Sequence, residues 1–295
     1  YTYSIIMTKA RIRKLKCSPK RQGRENNFSC YTGDELNRLK SLWNIRHNDD
    51  IIASNDPKEI WNGLKVRLHN VCKKESCWLR QQFVTSHIGN ELLNSFAPEQ
   101  PENWKKNPYE WLTTVDIQNV MKQYEDVYDD FEFIGPSPID YDNNVNNQCV
   151  WPELCHFNIE DKLLNGINKI GIIFNLDTHD EPGSHWVVLY VELSKREIYY
   201  FDSTKTYKRE IPKEIIKFVD NLNEEAERLG NFKLDFSYNN KIEHQKQNTE
   251  CGIYCIYFIT QLITNNKSWK DFIDDRIPDA EMKKLRNVFY NKTAL

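Results

Sequence analysis

The stretch Gln245-Lys-Gln-Asn-Thr-Glu-Cys-Gly-Ile-Tyr-Cys-Ile-Tyr-Phe-Ile-Thr-Gln-Leu-Ile263 decides how the rest of the chain is read. A polar, glutamine-rich loop runs into Cys251-Gly252, and an apolar segment follows at once. In it Ile253, Tyr257 and the Leu262/Ile263 pair recur near helical spacing, which predicts a helix beginning at or just after Cys251. Free amide N–H groups and the positive dipole end at such a start favour a thiolate, the nucleophilic form of cysteine. Gly252, with no Cβ, would let a substrate backbone come close. Cys255, one turn on, reads as a buried small residue.

A nucleophile needs a base, and the base needs a group to orient it. Gly183-Ser-His-Trp-Val-Val-Leu-Tyr-Val-Glu-Leu193 reads as a strand with His185 near its start. Arg196-Glu-Ile-Tyr-Tyr-Phe-Asp-Ser203 reads as a second strand after a short turn, with Asp202 near its end. Paired as an antiparallel hairpin, the start of one strand lies beside the end of the next. His185 and Asp202 then become neighbours, in the arrangement of a carboxylate holding a protonatable imidazole.

His-Trp, then Phe-Asp-Ser, then Gln-x5-Cys-Gly, in this order, resembles the ubiquitin-like-protein protease superfamily of cysteine proteases. That group holds the SUMO proteases, the adenovirus endopeptidase and the core-protein proteases of large DNA viruses, and the likeness is greatest to the polyprotein-processing viral members. It covers roughly residues 95–290. Papain-type enzymes run Cys…His…Asn instead. The resemblance implies a mixed, mainly antiparallel central sheet flanked by helices, an α+β fold. It implies Cys251 as nucleophile, His185 as general base and acid, Asp202 as its orienter and Gln245 as an oxyanion-hole donor, with Gln247 a second candidate. Trp111 and Trp186 match the two indoles that flank a narrow tunnel for a Gly-Gly tail in SUMO proteases; such walls reject any Cβ on steric grounds. Thr113 and Thr114 depart from the polar pair that follows the first Trp in that pattern. His244, beside Gln245, reads as an exposed or substrate-facing loop residue.

The rest of the chain sets bounds. At 295 residues it can hold one large domain, or a catalytic domain and a smaller one. Three parts are expected: a basic arm over 1–30, a helical module over 31–94 and a catalytic domain over 95–295. Thr32-Gly-Asp-Glu35 has the form of a capping box, and Asp56-Pro57-Lys58-Glu59 repeats an N-terminal signal with proline at the first helical position. A further helix is expected over Ser76–Val84. Pro98 and Pro101 mark the joint. Lys9, Arg11, Arg13, Lys14 and Lys16 belong to a stretch with no acid, whereas acids outnumber bases by eleven elsewhere. A basic arm on an acidic body fits a contact with nucleic acid, and equally a solvated tail.

Eight cysteines are present: 17, 30, 72, 77, 149, 155, 251 and 255. The chain is not a short secreted one, so reduced thiols are expected. Cys72/Cys77 and Cys149/Cys155 are spaced more widely than the Cys-x2-Cys of most zinc sites, so no metal or other cofactor is expected. No apolar run approaches the ~20 residues of a membrane span, and no signal-peptide core is visible. The expected setting is host cytoplasm or virion if the protein is viral, otherwise cytoplasm or nucleus. The expected activity is a cysteine endopeptidase that cuts protein or polyprotein substrates after small, Gly-Gly-type motifs, as in viral core-precursor processing. Removal of ubiquitin or a ubiquitin-like modifier, acyl transfer, and a non-catalytic protein-binding module are the alternatives.

Overall fold

The computed structural model describes residues 17–21, 27–206, 210–230 and 232–292. The chain divides into two compact units, one running to Pro101 and taking in residues from Asn287, the other spanning Glu102–Arg286. Lys9, Arg11, Arg13, Lys14 and Lys16 lie outside the described residues.

The first unit is built on helices α1 (Gly33–Arg46), α2 (Pro57–Leu68) and α3 (Ser86–Leu93). Thr32 and Glu35 form the reciprocal capping box, and the Asp56 carboxylate accepts from the Glu59 N–H with Pro57 next to it. Leu36, Leu39, Trp43, Ile60, Leu64 and Leu68 recur three and four apart, so one face of each helix is apolar, and these faces meet in a core with Trp78 and Phe96. Within the stretch read as an arm, Cys17 bonds to Cys30 and Arg21 pairs with Glu35. The helix expected over Ser76–Val84 is instead a 3-10 turn, Glu75–Arg80, and α3 begins only at Ser86. Tertiary ties set this backbone: the half-buried Glu75 carboxylate accepts from the Ser29 hydroxyl, the Cys30 N–H and the Trp61 indole.

The second unit is a mixed α+β layer structure. Its strands are β1 (Phe131–Pro138), the short pair β2 (Asn144–Val145) and β3 (Gln148–Cys149), β4 (Lys169–Asn175), β5 (Trp186–Glu192), β6 (Glu197–Phe201) and β7 (Asp235–Tyr238). The main sheet has the order β1-β4-β5-β6-β7. Its two inner pairings are antiparallel and its two outer ones parallel. The helices are α4 (Thr114–Glu125), α5 (Pro152–Cys155), α6 (Ile159–Leu164), α7 (Lys213–Gly230), α8 (Cys251–Ile263), α9 (Trp269–Asp274) and α10 (Asp279–Phe289).

Period-two alternation sorts the strand residues onto two faces. Ile170, Ile172, Phe174, Val187, Leu189 and Val191 share a core with Ile215, Phe218, Leu222 and Ala226 of α7. The other face receives α8. Gly171 lets that helix sit down on the sheet, because a Cβ there would come within 2.9 Å of Ile259. Phe201 stacks on Phe258 at 4.8 Å between centroids. Every residue of β5 is therefore buried, as expected of a strand covered on both sides.

The expectation of reduced thiols is corrected. Cys17–Cys30 and Cys72–Cys77 are disulfide-bonded, Cys149 lies against Cys155, and Cys251 and Cys255 are free and buried. Compartment reasoning from chain size could not see which cysteines the fold brings together. Among the described residues no cluster of three or more His, Cys, Asp or Glu could hold a metal ion, and no helix is long and apolar enough to cross a membrane.

Candidate active site

His185 immediately precedes β5, and Asp202 immediately follows β6. Val188 pairs with Phe201, so the hairpin places Asp202 across from the first residues of β5. The loop that delivers His185 is held by Asn175, whose Oδ1 accepts from the Asp177 and Ser184 N–H groups. Gly183 completes it at φ +92°, with its missing Cβ only 2.7 Å from Asn175 Nδ2, so no side chain fits there. The His185 carbonyl accepts from the Leu176 N–H at 2.9 Å, fixing the residue to the end of β4.

His185 Nε2 donates to Asp202 Oδ1 at 2.7 Å. The Cys251 side chain is a neighbour that favours the protonated form of the same imidazole. With Nε2 engaged by Asp202, Nδ1 is the nitrogen left for the thiol. Burial pulls the His185 pKa down, but the hydrogen bonds and charges of Asp202 and Cys251 outweigh it and hold the imidazole up at about 9. Asp202 is itself 1% exposed. Its Oδ1 also accepts from the backbone N–H and hydroxyl of Thr204, each at 2.9 Å. The Asn239 amide clamps its backbone from both sides, accepting from Asp202 N and donating to Asp202 O. Thr204 and Asn239 carry no local sequence signal; only the fold brings Asn239 to Asp202.

Cys251 is the first residue of α8, after Glu250, and it is buried. Burial pushes the Cys255 thiol well above its usual range, which keeps that second sulfur protonated. Gln245 is tied to Ser203, the residue after Asp202. The Ser203 carbonyl accepts from the His244 and Gln245 N–H groups, and the Ser203 hydroxyl donates to Gln245 Oε1 at 2.7 Å. With Oε1 occupied, the amide is oriented and its NH2 group remains as the donor. Ser203 was visible in the Phe-Asp-Ser run, though not its role as anchor. Gln247 accepts from Lys283 Nζ instead.

Trp186 is buried, and its indole N–H donates to the Leu112 carbonyl at 3.0 Å. Trp111, the residue before Leu112, is half-buried, and both tryptophans line a groove of about 520 Å³ with Leu112, Trp151, His179 and Gly183. A Cβ on Gly252 would meet Leu112 at 3.1 Å and Trp186 at 3.3 Å, so the glycine makes room for the side chains packed against the start of α8.

His244 is also corrected: it is fully buried. Its Nδ1 accepts from the Ile277 N–H at 3.1 Å, and its ring lies against Phe201. Burial first, then nearby Arg276, lowers its pKa to about 4. A histidine neutral when folded and protonated at about 6.5 when unfolded loses stability as pH falls between those values. We expect the difference in unfolding free energy between parent and His244→Phe to change across pH 6.5 to 4 by about 3 kcal/mol, against the parent at the acid end. Urea titrations that run parallel for the two proteins across this range would refute the assignment.

A mixed sheet with a cysteine-led helix across one face and an imidazole–carboxylate pair at the hairpin mouth is the fold of the SUMO-protease-like cysteine peptidases. Residues 156–294 match the Ulp1 protease family, C-terminal catalytic domain. A protein of Acanthamoeba polyphaga mimivirus named as a thiol protease is 30% identical over 297 residues, covering 93% of this chain and 92% of that one. A cysteine protease of African swine fever virus is 25% identical, covering 83% and 93%. A crystal structure of the African swine fever virus protease superposes with a TM-score of 0.66 at 20% identity, covering 95% and 98%, a likeness of fold. The chain belongs to the Ulp1 protease family and is a cysteine peptidase acting on protein.

Proposed function

We propose that Cys251, His185 and Asp202 form the catalytic triad, with Gln245 as an oxyanion donor, and that the enzyme cuts after Gly-Gly-type motifs. One observation carries this: a single imidazole hydrogen-bonds a buried carboxylate and has a helix-leading thiol as the neighbour that favours its protonated form. The thiol proton resides on His185, and the Cys251 sulfur attacks the scissile carbonyl carbon. The oxyanion that forms is held by the Gln245 NH2 and the Cys251 backbone N–H, each such donor worth roughly 3–4 kcal/mol. His185 then protonates the leaving amine, the C–N bond breaks and a thioester remains. Water, deprotonated by His185, attacks the thioester and frees the thiolate.

Trp111 and Trp186 supply the glycine preference. Flat indole walls leave no room for a Cβ where the substrate backbone passes. Peptides with Gly-Gly before the cut are expected to exceed their Ala-Ala counterparts in kcat/KM by on the order of 100-fold. Equal hydrolysis of the two would overturn the tunnel.

The well-covered relatives are viral, which supports precursors of virion structural proteins as substrates, met in the host cytoplasm or the virion. The arm bearing Lys9, Arg11, Arg13, Lys14 and Lys16 could hold the enzyme on packaged genome. Some African swine fever virus relatives are named SUMO-1 cysteine proteases, so removal of a modifier is the second reading. Release of a fluorophore from the C-terminus of SUMO or ubiquitin, compared with a Gly-Gly peptide, separates the two.

A further inference from the structure

A buried arginine lies behind the nucleophile, outside the groups that the chemistry uses. The Arg286 side chain is 3% exposed and its partner Glu250 is fully buried. Glu250 is the residue before Cys251. Arg286 Nε donates to Glu250 Oε2 at 2.7 Å. Its Nη2 donates to the Thr249 carbonyl at 2.7 Å, and its Nη1 to the Glu110 carbonyl at 2.7 Å. The face of the guanidinium lies over the Trp104 ring, 4.6 Å from its centroid. One planar fork thus grips two loops, one ending at Cys251 and the other leading directly into Trp111.

We propose that Arg286 is a positioning residue for peptide hydrolysis, holding the nucleophile loop and the Trp111 loop in one register. The proposal rests on the assignment of Cys251 and Trp111 made above. Taking an ion pair out of water is unfavourable unless its geometry is good and its remaining donors are satisfied. Here three donors meet three acceptors at hydrogen-bond length, a pattern that the fixed fork of arginine can supply and the single ammonium of lysine cannot. The pair also neutralises a carboxylate beside the nucleophile, where an unpaired negative charge would oppose a thiolate. The same helix holds the other end of the loop: Asp279, at the start of α10, accepts from the N–H of Lys246, next to Gln245. Helix α10 therefore spans the nucleophile loop from its oxyanion donor to its cysteine. Glu250 does not cap α8 with its side chain; its carboxylate faces Arg286, while its carbonyl accepts from Tyr254 to start the helix.

The test compares Arg286→Lys with the parent in three measurements. These are steady-state hydrolysis of a Gly-Gly peptide, the rate at which iodoacetamide labels Cys251 (read by mass on the labelled fragment), and thermal unfolding. Iodoacetamide needs the nucleophile but not the Trp111 wall. Arg286→Lys is expected to unfold cooperatively, to lose about 100-fold in kcat/KM and to keep its labelling rate within about threefold. Two results would overturn the proposal: hydrolysis within about threefold of the parent, which means that charge alone suffices, or labelling that falls in step with hydrolysis, which means that the arginine only supports the nucleophile. Should Arg286→Lys fail to fold, Glu250→Gln keeps the shape and an acceptor while removing the charge. It is expected to lose about tenfold in kcat/KM with labelling unchanged, and parent-like hydrolysis by it would equally overturn the proposal. A parent with no preference for glycine sinks the tunnel reading separately, since every Arg286 result is a ratio to the parent on the same peptide.

Discussion

Cys251→Ala is expected to lower kcat for peptide hydrolysis by on the order of a million-fold, while the protein unfolds within about 1 kcal/mol of the parent. The size follows from the chemistry. Without the sulfur there is no thioester, and what remains is water attacking a carbonyl polarised by the oxyanion donors. The small change in stability follows from the site. Cys251 is 2% exposed, and deletion of one sulfur at the start of a helix opens a small void that Leu112 and Trp186, already against Gly252, can partly close. Cys255 offers no rescue, because burial holds its thiol well above the usual range and it lies one turn further into α8. Mass spectrometry of the parent quenched during turnover should show the acyl group on the peptide that contains Cys251. Hydrolysis that survives in Cys251→Ala, or an acyl group on any other residue, would sink the assignment of the nucleophile.

What the sequence disclosed depended on how far apart the interacting residues lie. The Asp202–His185 pairing was legible because alternation marked two strands and a short turn fixed them as a hairpin, whose register needs no distant information. The start of α8 was legible for the same reason: a polar loop, a Cys-Gly step and a 3.6-residue apolar repeat sit within twenty residues. The capping box at Thr32 is likewise local. Long-range ties were invisible. The burial of His244 depends on Ile277 and Phe201, and a histidine among glutamines and a lysine reads as exposed until those partners are known. The break between the Glu75 turn and α3 depends on Ser29, Cys30 and Trp61 reaching Glu75 from elsewhere. The parallel pairings β1–β4 and β6–β7 join strands separated by two helices and by one helix respectively, and no local period reports them. Arg286 lies 35 residues beyond the nucleophile and looked like one more charge on an amphipathic helix. Its role in the fold appears only when Glu250, Thr249 and Glu110 converge on it.

Asp202→Asn is expected to reduce kcat/KM by about ten-thousand-fold at neutral pH and to move the alkaline limit of the remaining activity downward. Asparagine keeps the shape of the side chain. Thr204 still offers its N–H and hydroxyl, and the Asn239 clamp grips the backbone regardless. The change is therefore one of charge. With Asp202 present, the imidazole is held at about 9, so its protonated form persists through neutral pH. Without it, burial is opposed only by Cys251, and His185 gives up its proton at lower pH. The same shift sets a stability difference of known sign. A histidine whose pKa rises from about 6.5 to about 9 on folding contributes up to about 3 kcal/mol. That contribution is complete below pH 6.5 and is lost as pH rises through 9. Parent and variant should therefore differ most in urea denaturation near pH 6 and converge near pH 9.5. Activity within tenfold of the parent, or an alkaline limit that stays in place, would mean that another group orients His185. A stability gap that widened with rising pH would mean that the imidazole is not the protonated partner of Asp202 in the folded protein.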